Sequence, residues 1–594
     1  MITSLLTLLT LTTCTEVVLQ QQPHITPPKH SSFRELIWGD INYLHTTDTH
    51  GWYAGHLNQK PYSADWGDFI SLTQHFKTHA RVHNVDLLIV DTGDKHDGNG
   101  LSDATVPNGL ISTGIFNSVD YDLVTIGNHE LYYEDYSRLE YEVTVEHFGE
   151  RYVSSNVEYL LDNDTFVSFG NKFRYFTTEN QQRRVLALSF LFNFQRYNDK
   201  TRVTPISEVL QQSWFIELTK TYNEDNVDTL VVFGHIPVTD HENHELESLH
   251  VVLRRWFPDT LIQYLGGHSH IRDFTVFDNK ATGLQSGRYC ETVGFVSLNF
   301  TTNEFNRRYI DFNLESFKHH AGTNISPHSD NFDTKEGLNV SSYITKVRKD
   351  LNLAESYGYV PVNYLMNGYP LSHKQNLYTF LSTNILPTLP QLHANVDRVM
   401  LINSGGIRYD LYKGNYTRDS EFIVSPFTND WNYIRLPRGL ALRIAPYLNK
   451  GDFIALASPD SDRLKKRDTL SREFDSLDIE SSLTRKCTFE HNPNFKKGQT
   501  TTDDHGCEGD DVKHNNIAYF PSPNVVQSYQ TFSKPTTSED DLVDVVFYSF
   551  IQSYVMNALN DLDPTNTYKN KDFLYYGAES TGQLLTRYVK ENWA

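Results

Sequence analysis

Five short segments, each following an apolar run, constrain this chain more than any other feature. They are Asp48-Thr49-His50-Gly51 after Ile41–Leu44, Gly93-Asp94-Lys95-His96-Asp97-Gly98 after Leu87–Val90, and Gly127-Asn128-His129-Glu130 after Leu123–Ile126. Gly234-His235 follows Leu230–Phe233, and Gly266-Gly267-His268-Ser269-His270 follows Leu261–Leu265. The apolar runs, with Val185–Ser189, read as buried strands, and polar, helix-like stretches separate them across residues 37–320. This is an α/β pattern, in which chemistry gathers beyond the strand C-termini.

The residue types in those segments belong to metal chemistry. Imidazole and carboxylate suit zinc, manganese or iron, and one carboxylate can bridge two ions. Side chains in Asp-x-His and His-x-His converge on one site as an extended segment turns, and the preceding glycines allow close backbone approach. Two ions about 3.5–4 Å apart can clamp a phosphoryl group from both sides of an in-line displacement. No cysteine joins the set, which argues against a structural zinc site.

Composition bounds the partners. A chain of 594 residues exceeds what one core supports, so two or more domains are expected. Acids outnumber bases, 74 to 52, for a formal charge of −22. That balance argues against nucleic acid or an anionic membrane as the main partner. It does not forbid a local positive pocket, which bound divalent ions would supply.

The ordered set resembles the calcineurin-like metallophosphoesterases, and the whole chain resembles the 5′-nucleotidase/UDP-sugar hydrolase group, in particular a fungal branch. The resemblance implies an N-terminal four-layer αββα metallophosphoesterase domain and a C-terminal 5′-nucleotidase-like α/β domain. It implies that Asp48, His50 and His270 hold one ion, that Asn128, His235 and His268 hold the other, and that Asp94 bridges them. His129, beside Asn128, would be the catalytic histidine. In the second half, Asn403-Ser404-Gly405-Gly406-Ile407-Arg408 resembles the family's NSGGIR motif, so Asn403, Gly405, Gly406 and Arg408 are candidate substrate contacts. Pro426-Phe427-Thr428-Asn429 resembles the segment whose Phe stacks on a nucleobase; Phe427 either does so or packs in a core. Arg408 and Phe427 are expected to hold the part of the substrate distant from phosphorus.

Three departures stand out. The aspartate that pairs with the catalytic histidine is replaced by Tyr132, leaving Asp97 or Asp135 to substitute. The second substrate arginine expected before Gln375-Asn376-Leu377 is absent, with His373 and Lys374 the nearest bases. The C-terminal Gly-Gly-Asp segment is missing, and Phe550, Tyr554, Tyr575 or Tyr576 would supply either a second stacking face or core. The metal half is whole and the nucleotide half eroded. The leading reading is a nucleotide or small-ester phosphomonoesterase. The alternatives are a phosphodiesterase or pyrophosphatase on cyclic nucleotides or nucleotide sugars, and a metal-binding module without catalysis.

The expected organisation is a signal peptide in residues 1–20, a catalytic domain in 37–320, a linker with a helix in 321–356, and a second domain in 357–594 with a polar insertion at 456–535. Residues Ile2–Thr13 carry no charge, and they are too few to span a bilayer. Later residues show neither a membrane anchor nor a GPI signal. Sequons at Asn163, Asn299, Asn324, Asn339 and Asn415 support a secretory route, to the medium, cell wall or vacuolar lumen. Cys487 and Cys507 flank one loop, and are either a disulfide that closes it or two unpaired thiols. Lys465-Lys466-Arg467 is a solvated run or a processing site, and Asp503, Asp504, Glu508, Asp510 and Asp511 read as a solvated run, with capture of a cation the alternative. Ser341–Leu353 is predicted to be the linker helix, and Val543–Leu559 is predicted helical by its period.

Overall fold

The computed structural model describes residues 33–240, 243–323, 331–428, 430–451, 454, 509–512, 520–532, 538–577 and 579–594. Two sheets lie face to face in the first half. In one, Ile41–Thr46, Asp86–Asp91 and Leu123–Val124 run parallel, and Thr292–Leu298 and Phe305–Asp311 extend it antiparallel. In the other, Arg184–Ser189, Thr229–Phe233, Leu261–Gly266 and Ala281–Ser286 run parallel between antiparallel edge strands Phe173–Thr177 and Arg272–Asp278.

The period of two along each strand separates the layers. Leu88 and Val90 point between the sheets, where they meet Ala187, Val231 and Leu265, while Ile89 points outward. Helix Trp66–His83 covers the outer face of the first sheet with Trp66, Phe69 and Phe76. Asp65 and Asp68 cap its start reciprocally, and Asn84 ends it in the left-handed conformation. Helices Ser213–Thr221 and Glu245–Trp256 cover the second sheet with Phe215, Leu246, Leu249 and Leu253. The result is an αββα stack.

The second half is built on a five-stranded sheet in the order Val525–Gln530, Arg398–Asn403, Leu542–Tyr548, Trp431–Pro437, Leu574–Gly577. Only Arg398–Asn403 and Leu542–Tyr548 pair in parallel. Helices Arg438–Leu448, Gln552–Leu562 and Thr581–Asn592 share its core.

Several expectations change. The run Val543–Leu559 is a strand to Tyr548 and a helix from Gln552. A buried central strand is apolar on both faces, so its sequence carries no period of two to separate it from a helix. The linker helix runs Lys335–Asp350 and packs along Trp66–His83. There Gly67 and Gly337 let the two backbones touch: a Cβ on either would collide with the other's carbonyl oxygen. The stretch 456–535 contains an edge strand, Val525–Gln530, whose polar face hid it. Asp510 and Asp511, read as solvated, are fully buried against the first half. Asp510 pairs with Arg272, and Asp511 lies 3.2 Å from His320 Nε2. The signal segment, Cys487, Cys507, Asn324, Asp503, Asp504, Glu508 and the tribasic run lie outside the described residues. Among the described residues no helix is long and apolar enough to cross a membrane.

Candidate metal centre

The loops just beyond five of the parallel strands meet at one buried pocket. Ligand atoms of Asp48, His50, Asp94 and His270 lie within 4.8 Å of one another, as do those of Asp94, His235 and His268. Asp94 is common to both groups, the geometry a bridging carboxylate requires.

Each carboxylate is anchored through one oxygen and presents the other. Asp48 Oδ2 accepts from Thr47 Oγ1 (2.6 Å) and from the His268 N–H (3.0 Å). Asp94 Oδ1 accepts the His129 N–H (2.9 Å), and its Oδ2 stands 3.0 Å from His235 Nε2. The imidazoles are oriented in the same manner. His50 donates through Nδ1 to the His96 carbonyl (2.6 Å) and His235 to the Thr92 carbonyl (2.9 Å), which aims both Nε2 atoms inward. His268 stacks on Phe192 at 4.0 Å.

Asn128 Oδ1 and His268 Nε2 are buried without a hydrogen-bond partner, while Asp48 Oδ1 lies 3.1 Å from His270 Nε2. Orphaned lone-pair atoms in one pocket are costly unless a cation satisfies them. Burial pushes His268 and His270 down, to about 3 and about 4. It also works against His235, but Asp94 and Asp48 outweigh it and lift that imidazole to about 9. The carboxylate pair thus draws positive charge into a dry pocket. Oxygen and imidazole donors in this arrangement fit two divalent ions.

Residues without an assigned role in the sequence hold the loops. The Glu130 carboxylate accepts the N–H groups of Asp94, Lys95 and Gly127, which ties two motif loops together. A Cβ on Gly127 would collide with the Asp94 carboxylate and backbone. Lys95 donates to Glu140 at 2.8 Å; burial opposes its charge, but Glu130 and Glu140 outweigh burial and raise its pKa. Tyr289 lays its ring 5.2 Å from His50 and 5.3 Å from His270. Tyr289 and Cys290 adopt φ of 54° and 51°, strained for such residues, and nothing local in the sequence signals it.

Of the two aspartates offered in place of the missing one, Asp97 is the one that reaches His129. His129 Nδ1 lies 2.7 Å from Asp97 Oδ2, and Asp97 Oδ1 accepts from Asn108 Nδ2 at 2.6 Å. Burial works against the Asp97 carboxylate, but His96 and the bond from His129 outweigh it and hold it well below the usual range. Asp135 is exposed and pairs with Arg138 instead. Tyr132 takes another role: its hydroxyl accepts from Asn128 Nδ2 (3.1 Å) and so turns the bare Oδ1 toward the pocket.

Two candidate substrate residues from the second half reach this pocket. Arg408 Nη2 stands 3.1 Å from His50 Nε2, and its guanidinium lies 5.7 Å from the Phe427 ring. Phe427 is half-buried, with its centroid 6.3 Å from His129. Arg408 therefore lies beside the candidate ligand His50. Asn403, Gly405 and Gly406 form the turn that ends the strand Arg398–Asn403; Asn403 Oδ1 is buried without a partner, and the Gly406 carbonyl accepts from Ser425. Phe550 and Tyr554 cover the guanidinium of Arg196, at 4.2 and 4.9 Å. Tyr576 is core and Tyr575 is exposed.

Comparison with known proteins agrees with this geometry. Residues 41–272 match the calcineurin-like phosphoesterase model, and residues 363–556 match the NAD nucleotidase C-terminal domain model. An uncharacterized protein of Saccharomyces cerevisiae is 44% identical, over 96% of this chain and 96% of its own. A protein of Arthroderma benhamiae named a secreted protein is 36% identical, over 94% and 91%. The crystal structure of a 5′-nucleotidase from Candida albicans is 45% identical, covers 94% of this chain and 99% of its own, and superimposes with a TM-score of 0.82. The chain therefore belongs to the calcineurin-like phosphoesterases of 5′-nucleotidase architecture, metal-dependent hydrolases of phosphoric esters.

Proposed function

We propose that this protein is a phosphomonoesterase acting on 5′-nucleotides or closely similar small phosphate esters. The observation that carries the reading is the approach of Arg408 and Phe427 to the pocket that holds His129. One offers a fixed cation to an anionic group, and the other a half-exposed aromatic face to a flat leaving moiety.

In this reading Asp48, His50 and His270 would hold one ion, Asn128, His235 and His268 the other, with Asp94 between them. When bound, such a pair lowers the pKa of water toward ~7 and offsets phosphoryl charge. The chain's own groups do the rest. Asp97 accepts from His129 Nδ1, which fixes the ring and directs Nε2 to the phosphoryl oxygens or the leaving oxygen. Arg408 offsets charge that develops on the phosphoryl group. Phe427 positions the remainder of the ester. The proposed units are a catalytic domain at 37–320, a linker at 321–356 and a substrate domain at 357–594. A secretory location is supported by the name of the Arthroderma relative and by the exposed sequon at Asn163.

The test is a phosphate-release screen of the purified, metal-loaded protein. It covers mononucleotides, cyclic nucleotides, nucleotide sugars, sugar phosphates and one small artificial ester. Mononucleotides should give the highest kcat/KM. Phe427→Ala should raise KM for the best nucleotide and leave the small ester nearly unchanged. Preference for cyclic nucleotides or nucleotide sugars would replace this reading with a diesterase or pyrophosphatase.

A further inference from the structure

The residue next to Arg408 belongs to the other half of the molecule. Ile407 and Leu411 lie in the core of the second half, whereas Tyr409 and Tyr412 lie in the core of the first. Arg408 therefore sits on a backbone pinned into a different core on each side.

Tyr409 is 3% exposed. Its ring packs among Trp52 (4.8 Å), Tyr289 (5.5 Å) and His56 (5.6 Å). Its hydroxyl is within hydrogen-bonding reach of Gln59 Oε1 and Glu291 Oε1, both at 2.9 Å, and of His56 Nδ1 at 3.3 Å. Gln59 in turn donates to Tyr412 at 3.2 Å, and Tyr412 donates to Asp410 at 3.0 Å. From this anchored backbone the Arg408 side chain reaches His50, crossing the Tyr289 ring at 5.9 Å. Tyr289 thus touches the anchor, the guanidinium and two candidate ligands.

We propose that Tyr409 is a positioning residue: docked in the first half, it sets the Arg408 guanidinium against the phosphoryl site. A long cationic side chain on a mobile base must have that base ordered as well as its own rotamers on each binding event, which weakens the contact. Anchoring the adjacent residue removes part of that cost before substrate arrives. Tyr409 reaches the candidate ligands only through its neighbours, Arg408 along the chain and Tyr289 at 5.5 Å, and coupling to Arg408 is what distinguishes the two routes.

This inference rests on the reading of Arg408 as a substrate contact, and the experiment separates the two. A double-mutant cycle is measured on the full-length, metal-loaded protein, with kcat and KM for the best substrate of the screen. Arg408→Ala should lower kcat/KM about ten- to hundredfold, the scale of a lost charged hydrogen bond. Tyr409→Ala should lower it about tenfold, and Tyr409→Phe, which keeps the buried ring, about threefold. In the Arg408→Ala background both Tyr409 substitutions should cost less than twofold, whatever they do to Tm. Losses that multiply in the double variants would overturn the positioning role and leave Arg408 as a contact. Wild-type kcat/KM in Tyr409→Phe and Tyr409→Ala would overturn it as well. An Arg408→Ala protein with unchanged kinetics would overturn both statements. If Tyr409→Ala does not fold, the cycle with Tyr409→Phe decides.

Discussion

Replacing Asp97 with Asn tests whether the dyad has been rebuilt from a different loop. Asp97 is 3% exposed and receives His129 Nδ1 at 2.7 Å. Asp97→Asn keeps the shape and can keep the contact from Asn108, but it replaces a buried carboxylate by a neutral amide. A hydrogen bond to a charged group contributes ~1.5–3 kcal/mol. At about 1.36 kcal/mol per decade this corresponds to a fall in kcat of about one to two decades. Metal content should stay at wild-type level, because Asp97 is not among the candidate ligands. The control is Asp135→Ala: that exposed side chain pairs only with Arg138 on its own helix, so kcat should not change. The assay is steady-state hydrolysis of the best substrate, with metals counted by elemental analysis on the same samples. An Asp97→Asn protein within twofold of wild type would refute the reasoning, as would a larger loss in Asp135→Ala.

Asp94→Ala should abolish hydrolysis of every substrate and lower the metal count, since one carboxylate serves both ligand groups; normal activity with two ions bound would sink the dimetal assignment. Arg272→Met breaks the buried ion pair with Asp510, a loss of ~3–5 kcal/mol readable in thermal or denaturant unfolding. Asp68 gives a pH signature. Burial, and then Asp65, raise its carboxyl from 3.8 to about 7, with Asp333 acting in the same direction and Lys318 against it. The folded state therefore keeps a proton that the unfolded chain releases near 3.8, so this contribution to stability is full below that value and is lost as pH rises toward 7. Asp68→Asn should raise Tm at pH 8 and change it little at pH 4; a shift of equal size at both pH values would contradict this.

The candidate ligands are legible in the sequence because each lies immediately beyond an apolar run, so strand and ligand are read from one local stretch. The same runs give the α/β pattern, and the αββα stack is what the family resemblance adds. What the sequence does not disclose are roles created by contact across the fold. Asp97 and Asp135 are equivalent on paper, and only the loop that carries Asp97 past His129 separates them. Tyr132 looks like a defect until its hydroxyl is seen on Asn128. Tyr409 carries no motif, since its significance is that two cores meet at adjacent residues. Leu542–Tyr548 and Val525–Gln530 were obscured for opposite reasons, one apolar on both faces and the other a polar edge.

One feature of the pocket links backbone to chemistry. Asp48, His50, Asp94, Asp97, His268 and His270 all hold φ between 45° and 76°. For most side chains that region costs ~1–3 kcal/mol, but aspartate, asparagine and histidine enter it more readily than others. The residue types that can ligate a metal here are thus the same ones that can make these turns. A substitution chosen to keep ligation, such as Glu for Asp48 or Asp94, should fail twice, by lengthening the arm and by resisting the turn. Glycine also takes these turns but offers no ligand, so a change from aspartate or histidine to glycine keeps the backbone and loses the metal.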